Sequence, residues 1–140
     1  KKHYLYKKPV IRVNQNDFNC EKYKNVCAKY HVNRVNKYFD WNKYEDFDIH
    51  YFRIEYDFVG EIIDLPKTVK ILVLNNVKKA KIIKIPESVE ILMLGNNFDE
   101  RIDKFPENLR EIHTYCNYEK KKCKIPKNIK VINRPLYNYH

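Results

Sequence analysis

The sequence repeats at a fixed interval of twenty residues, and this period constrains the fold more than any other feature. Four apolar-proline pairs mark it independently of the rest: Leu65-Pro66, Ile85-Pro86, Phe105-Pro106 and Ile125-Pro126. Three residues after each proline begins a segment with apolar residues at positions one and four, and at position six as well in the segments that start at 69 and 89; Thr114 and Arg134 take position six in the last two. At 89–97 and 109–117 this segment ends in asparagine at position nine, and 69–77 lacks only that asparagine. A fixed period of this length predicts a solenoid.

The repeated segment resembles the pattern of leucine-rich repeats. The joint at 97–106 is similar to the FNIP variant of these repeats, whose signature is F-N-x-x-I followed by an apolar residue and proline. Asp99 stands where that signature has asparagine. Segments 8–13 and 38–42 also resemble the leader of viral proteins of this kind. FNIP repeats occur in amoebae and in giant viruses that infect amoebae, often behind an F-box.

We therefore expect an α/β fold class: a short leucine-rich-repeat solenoid of 20-residue repeats, with a parallel β-sheet on its concave face and an α/β N-terminal cap. Each repeat contributes one short strand and returns through an extended or 3₁₀ segment, since twenty residues leave little room for a helix. Positions one, four and six should face the core. On the convex side we expect core packing by the residues before the prolines and by Ile62, Ile82 and Ile102. We also expect inward-facing polar side chains at the bends, from Asp57, Asn97 and Asn117 but not from Val77, where the bend should be looser.

The pattern divides the chain into a β-α-β cap over 1–48, repeats over 49–134 and a C-terminal cap segment over 135–140. In the first part, 10–13 alternates apolar and polar residues as a strand does, and 18–27 has helical spacing after the capping residues Asn16 and Asp17. A second strand is expected within 31–39. Two sets of side chains are expected to pack in this cap: Cys20, Tyr23 and Cys27 on one helix face, and Trp41, Tyr44 and Phe47 over the first repeat.

Composition indicates one domain that is soluble and cytoplasmic. The 140 residues are 44% apolar, enough for a core, with no apolar run of membrane-spanning length and no signal peptide at the start. The cysteines pair by spacing as Cys20 with Cys27 and Cys116 with Cys123, which fits neither a CxxC pair nor a common zinc spacing. His113 near Cys116 leaves a zinc site open, but we favour reduced thiols and expect no metal and no cofactor.

The candidate functional surface is the concave sheet. Positions three and five of the repeats should face outward there, and at 71, 73, 91 and 93 all of them are apolar. An apolar centre rimmed by aromatic and charged side chains is typical of a protein contact site. The predicted partner-binding residues are Tyr51, Arg53, Ile71, Val73, Ile91, Met93, Glu111, His113 and Tyr115. The last repeat should present Val131 and Asn133. Alternatively, β-branched residues stand here only because they favour strands, or another segment or a second copy covers them.

Nucleic-acid or polyanion binding is the alternative function, because the chain has a net charge of +10 and a basic ridge on its loops. Phosphate contacts need only such charge. The ridge lacks interleaved aromatic residues for base stacking, and acidic residues interrupt it. Its residues are Lys78, Lys79, Lys81, Lys84, Arg101, Lys104, Lys120, Lys121, Lys122 and Lys124.

No catalytic constellation is visible in the sequence, so we do not expect an enzyme. Only two glycines are present, and neither a phosphate-binding loop nor a nucleophile-base pair can be recognised. The family resemblance implies that the intact gene product carries an F-box and selects a target, a host protein, for a cullin-type ubiquitin ligase. If no F-box precedes Lys1, we expect a free-standing binding or decoy module.

Overall fold

The chain is built mainly of short β-strands. A computed structural model describes residues 7–35, 39–54, 58–62, 65–74, 77–82, 84–95, 98, 102, 104–115 and 125–134, with the backbone alone at 41, 58–62, 77–82 and 115. Within these ranges no helix is long and apolar enough to cross a membrane.

Nine strands lie in the described part of the chain, and seven of them form one parallel sheet. In chain order they are β1 (Val10–Asn14), β2 (Lys29–Val35), β3 (Asp48–Ile54), β4 (Phe58–Ile62), β5 (Ile71–Leu74), β6 (Val77–Ile82), β7 (Ile91–Leu94), β8 (Glu111–Tyr115) and β9 (Lys130–Arg134). The large sheet has the order β1-β2-β3-β5-β7-β8-β9, and β4 pairs with β6 in a second, two-stranded sheet. Since the strands of the large sheet are parallel and follow one another in chain order, the chain winds as a solenoid, as the period predicts.

The predicted core positions are confirmed for the repeats from β3 to β8, whereas two predicted surface positions, Val73 and His113, are also buried. Side chains at positions one, four and six are almost completely buried there, including Leu72, Leu92 and Ile112 at 0% exposed. These three occupy neighbouring strands in direct register, Leu72 opposite Leu92 and Leu92 opposite Ile112. The core is therefore a continuous stack in which each apolar layer covers the next, as expected for a structure whose repeats contact only their neighbours.

The prolines form the turns that lead into the strands. In each turn the amide three residues further on donates to the proline carbonyl, at 3.4 Å for Val69 to Pro66 and 3.1 Å for Val89 to Pro86. Such a turn brings the first apolar residue of the repeat into the core at the point where the strand starts. The proline turn therefore explains why the prolines and the apolar core positions repeat with the same spacing of twenty residues.

Thr68 and Ser88 occupy equivalent turn positions but differ in hydrogen bonding. The Thr68 hydroxyl accepts from the Ile49 amide at 3.0 Å and donates to the Ile49 carbonyl at 2.8 Å. The Ser88 hydroxyl is buried and has no partner among the described residues. A buried polar group without a partner is costly, whereas a satisfied one stabilises the fold.

We expect Thr68→Val to lower the free energy of unfolding by about 1–3 kcal/mol, because it removes both hydrogen bonds between Thr68 and the Ile49 backbone, although the Ile49 amide keeps its 3.1 Å hydrogen bond to the Phe47 carbonyl. Ser88→Ala should change it by less than about 0.5 kcal/mol or increase it. Urea denaturation of both variants measures the difference. Equal losses would show that the Thr68 hydrogen bonds contribute nothing.

The N-terminal segment is part of the sheet rather than a separate α/β cap. Strands β1 and β2 are present as predicted, but they pair in parallel with each other, and β2 pairs with β3. The helix predicted over 18–27 is limited to α1 (Cys20–Tyr23), preceded by a 3₁₀ turn at Gln15–Asp17. Its capping residue is Asn19, whose side chain accepts from the Lys22 amide at 3.1 Å, and not Asn16 or Asp17.

Because the helix ends early, only part of the predicted packing of its face occurs. Cys20 and Tyr23 are half buried and pack against the core, whereas Cys27 is exposed and is not a core residue. Phe18 takes the central place instead. Its ring contacts Tyr30, Tyr44 and Phe47, with centroids 5.2, 4.7 and 5.1 Å away. An aromatic cluster therefore fills the space beneath β1 and β2.

The return segments include two strands that the period does not predict. β4 and β6 pair in parallel across the core from the large sheet, so two of the return segments are strands rather than irregular connections. Ile102, Leu65 and Ile85 are buried on this side as expected, and Phe105 and Ile125 pack partly against the core. The side chains of Ile62, Ile82 and Val77, the polar residues Asp57, Asn97 and Asn117, and the segment 135–140 lie outside the described residues. The proposed division into a cap, repeats and a terminal segment thus stays a prediction.

Strand β9 departs from the repeat by one residue. Neighbouring repeat strands are offset by twenty residues, as in Ile91 opposite Glu111, but Glu111 lies opposite Lys130, an offset of nineteen. A one-residue shift exchanges the two faces of a strand. Asn133 consequently lies opposite the inward-facing Thr114 and accepts its hydroxyl hydrogen bond. The prediction that Val131 and Asn133 face outward is therefore wrong.

Candidate functional site

The candidate site is the side of the large sheet that points away from the core, which we call the outer sheet face. Strand register places its residues in two rows across the repeats: Tyr51, Ile71, Ile91 and Glu111 in one, and Arg53, Val73, Met93 and His113 in the other. The sheet thus brings these eight predicted partner-binding residues together. The ninth, Tyr115, belongs to β8, but its side chain lies outside the described residues.

The centre of the outer sheet face is apolar. Ile71, Ile91 and Met93 are half buried, and Val73 is only 8% exposed, less than its outward position led us to expect. Neighbouring strands at about 4.8 Å crowd a short β-branched side chain from both sides, which explains its low exposure. The face therefore has a shallow, closely packed apolar middle rather than fully exposed side chains.

A hydrogen-bonded group of three side chains occupies the C-terminal end of the face. The Arg134 Nε donates to His113 Nδ1 at 2.9 Å, and His113 Nε2 lies 2.9 Å from Glu111 Oε1. Because the arginine nitrogen is always a donor, Nδ1 is the acceptor, and Nε2 therefore carries the proton and donates it to the carboxylate. His113 is neutral in this arrangement and, at 7% exposed, fixes the position of Arg134.

The Glu111 carboxylate is held in its charged form. The hydrogen bond from His113 lowers the pKa of Glu111, burial opposes this, and the charges on Arg110 and Lys130 lower it further. The carboxylate thus stays ionised at neutral pH and remains an acceptor for His113. The ionised carboxylate partly offsets the positive charge of Arg134, and it also lies 3.9 Å from Arg110, so the group of three side chains serves mainly to fix the position of the guanidinium.

The N-terminal end of the face carries an aromatic and cationic group. The His31 ring stacks on Tyr51 with centroids 5.3 Å apart and the planes 28° from parallel. Burial lowers the pKa of His31, and the nearby charges of Arg12, His50 and Lys29 lower it further. The imidazole is therefore neutral at pH 7, and the exposed Arg12, which lies opposite it on β1, supplies the positive charge there.

Sequence reasoning missed the residues at both ends of the face. They are Arg12 and His31 on β1 and β2, and Lys130, Ile132 and Arg134 on β9. Each belongs to a strand offset by nineteen residues rather than twenty. Apolar residues that face the core recur at 11, 30 and 49, a spacing of nineteen that is visible in the sequence. This spacing would have revealed Arg12 and His31. Nothing in the apolar pattern distinguishes Val131 from Ile132.

Charged side chains just before the strands form ion pairs. Lys70 Nζ lies 3.4 Å from Glu90 Oε2, and Arg110 Nη2 lies 3.3 Å from Glu90 Oε1. These side chains are partly exposed, so each pair contributes at most about 1 kcal/mol to stability. Two cations thus share the Glu90 carboxylate, and Arg110 also lies 3.9 Å from Glu111.

The predicted basic ridge is only partly within the described structure. Lys84 and Lys104 are exposed, and Lys78, Lys79 and Lys81 lie on β6, whose side chains are not described. Arg101 and the four lysines at 120, 121, 122 and 124 lie outside the described residues. Within the described residues the structure therefore places Lys84, Lys104 and the backbone of β6 in return segments, and whether the ridge is continuous stays a prediction.

The groups needed for a metal site do not come together in the described ranges. No cluster of three His, Cys, Asp or Glu side chains occurs there, and Cys116 and Cys123 lie outside them. Cys20 and Cys27 are free thiols that line a cleft of about 370 Å³ between α1 and the start of β3. His113, the residue considered for zinc, has both ring nitrogens in hydrogen bonds instead.

Comparison with known proteins gives no match: neither a family model, nor a curated protein, nor a solved structure is significantly similar to this chain. The functional argument therefore depends on the geometry of the outer sheet face.

Proposed function

We propose that this chain is a non-catalytic protein-interaction module that binds a partner protein through the outer sheet face. The observation that carries the proposal is the half-buried apolar group Ile71, Ile91 and Met93, placed at the centre of a regular sheet and away from the core that the other face already fills. Apolar side chains with no packing role gain free energy when a partner removes them from water.

The rest of the face has the composition of a contact surface. Tyr51 and Arg53 lie on one side of the apolar centre, and Arg134 and His113 lie on the other. Aromatic and arginine residues around a dry centre are the usual anchors of protein interfaces. A non-catalytic role is supported by His113, whose ring nitrogens are both occupied by structural hydrogen bonds rather than aimed at a nucleophile.

The finer identity proposed for the module is a leucine-rich repeat of the FNIP kind. The repeated apolar pattern and the joint at 97–106 support it, together with parallel strands at twenty-residue spacing. In the same proposal the intact product acts in the cytoplasm, that of the host cell if the protein is viral, as the target-binding part of an F-box ubiquitin-ligase adaptor. Only the sequence resemblance supports the adaptor role and a host protein as the partner.

The test is affinity capture from amoebal extract with the wild-type chain and the Met93→Glu variant, after nuclease treatment. A carboxylate placed on the half-buried apolar centre must lose its hydration when a partner binds, which costs several kcal/mol. We expect Met93→Glu to lose the partner by at least about a hundredfold, since each 1.4 kcal/mol is a factor of ten. Met93→Leu, which keeps the apolar surface, should retain it.

Circular dichroism must first show that both variants are folded. Capture that is equal for wild type and folded Met93→Glu would contradict the assignment of the face. Capture of nuclease-sensitive material alone, equally with each bait, would instead favour the polyanion function of the basic ridge. The exposed Lys84 and Lys104 would then be the first residues to substitute.

A further inference from the structure

The distribution of charge on the outer sheet face indicates what kind of partner segment it binds, and this inference rests on the function proposed above. Positive side chains stand toward both ends, Arg12 and Arg53 at one and Lys130 and Arg134 at the other. Among the described residues the carboxylates on the strands of this sheet are Asp48 and Glu111, and each lies 2.9 Å from a histidine ring nitrogen, Asp48 from His50 and Glu111 from His113. The face therefore has an apolar middle between two basic ends.

Arg134 is prepared to bind an anion. Its Nε is held by His113, which is itself held by Glu111, and the residue is otherwise exposed. Within the described ranges the other guanidinium N–H groups have no hydrogen-bond partner. A guanidinium fixed in this way loses little side-chain entropy when it binds a carboxylate through two parallel hydrogen bonds. Lys130, on the same face four residues earlier and therefore about 13 Å along the strand, adds positive charge to this end of the face.

Arg12 forms the matching basic group at the opposite end. It is exposed and lies opposite His31, whose stacking on Tyr51 leaves a flat, closely packed surface beside the guanidinium. The six strand-to-strand steps from β1 to β9 span about 29 Å. An extended peptide covers that distance with about nine residues.

We propose that the outer sheet face binds an extended acidic peptide segment that crosses the strands. Carboxylates about nine residues apart contact Arg134 with Lys130 and Arg12, and the apolar side chains between them pack on Ile71, Ile91 and Met93. The charge of the segment sets its position on the face, because electrostatic complementarity fixes register as well as encounter rate. The apolar middle supplies most of the affinity.

A protein segment fits this face better than single-stranded RNA does. RNA carries a phosphate at every nucleotide and would place negative charge over the four apolar side chains at the centre. Stacking of bases would also need several aromatic faces, whereas His31 and Tyr51 already stack on each other. A peptide places its charges at the two ends and leaves the middle apolar.

The experiment is selection from a displayed library of random peptides of roughly 14 residues, long enough for the span above, on the full chain. We expect enriched sequences with acidic residues about nine positions apart and apolar residues between them. Fluorescence anisotropy of the selected peptides should show at least about tenfold weaker binding to Arg134→Gln. Lys22→Gln is the matched control, since it removes the same charge from an exposed position on α1, away from the outer sheet face and the basic ridge, and it should leave binding unchanged.

The outcomes separate this inference from the proposed function. Enriched peptides that are neutral or basic, or that bind Arg134→Gln as tightly as Lys22→Gln, would overturn the acidic segment. If those peptides still fail to bind folded Met93→Glu, the proposed function remains. Peptides that bind Arg134→Gln and Met93→Glu as tightly as the wild-type chain would overturn both conclusions. The acidic segment would also be excluded as the occupant if no peptide were enriched. It would be excluded as well if single-stranded RNA displaced the selected peptides at a lower concentration than unlabelled peptide does.

Discussion

Leu92→Ala is expected to lower the free energy of unfolding by about 2–5 kcal/mol, a large part of the 5–15 kcal/mol typical of a small domain. Leu92 is completely buried and lies in register between Leu72 and Ile112. Truncation leaves a cavity against both neighbours, so both interfaces of this repeat lose contacts. The stability of a solenoid is approximately the sum of the interfaces between neighbouring repeats, so a cavity in a middle repeat weakens two interfaces. Chemical denaturation followed by far-UV circular dichroism measures the loss.

The adjacent residue provides the control for this experiment. Ile91→Ala removes a side chain of similar size from the outer sheet face, where it is half buried and leaves no enclosed cavity. We expect a loss of about 1 kcal/mol. If Ile91→Ala were as destabilising as Leu92→Ala, the assignment of inner and outer faces would be wrong, or a further segment would cover the outer face.

Phe18→Ala is expected to cost about 3–5 kcal/mol and to shift the whole unfolding transition. The Phe18 ring is buried against Tyr30, Tyr44 and Phe47, and aromatic pairs in such contact add stability beyond their buried area. Because Tyr30 lies on β2, which pairs with β3, loss of this ring weakens the same sheet that contains the repeats.

Val26→Ala is the control for the N-terminal cluster, because Val26 is 42% exposed and should tolerate truncation within about 0.5 kcal/mol. An unchanged main transition in Phe18→Ala, with only a separate early loss of signal, would show that the N-terminal segment unfolds independently. That result would restore the separate cap that the sequence predicts. A single shifted transition is expected instead.

The regular part of the fold was predictable because sequence and geometry share one period there. Between β3 and β8 the prolines and apolar positions repeat together, and the buried stack through Leu72, Leu92 and Ile112 follows from them directly. The second sheet was not predictable. Return segments such as β4 and β6 pair in parallel through backbone hydrogen bonds between neighbouring turns. Backbone hydrogen bonds do not require a particular pattern of apolar side chains, so the sequence does not reveal this pairing.

The N-terminal strands were misassigned for a different reason. They lack the proline turn, and their spacing is nineteen residues, so the repeat cannot be aligned with them by its most conspicuous residues. Two irregularities between β2 and β3 change the register: the offset rises from nineteen to twenty at His50 and returns to nineteen at Asn33 and Arg34, where Arg34 has a positive φ of 55°. For the candidate site, the apolar centre was therefore predicted and its basic ends were not.

The one-residue offset of β9 means that strand register, as well as residue identity, sets the chemistry of the surface. In β9 the shift brings Lys130, Ile132 and Arg134 to the outer face and places Val131 and the exposed Asn133 on the inner side. The turn before β9 keeps its length, since the Ile129 amide donates to the Pro126 carbonyl as in the other proline turns, and the register changes only after Ile129. A return of β9 to the twenty-residue register would exchange its two faces with every side chain unchanged, and would take Arg134 away from His113. In a solenoid of this kind, a one-residue change of strand register thus replaces a row of surface side chains that substitution alone would replace only in several steps.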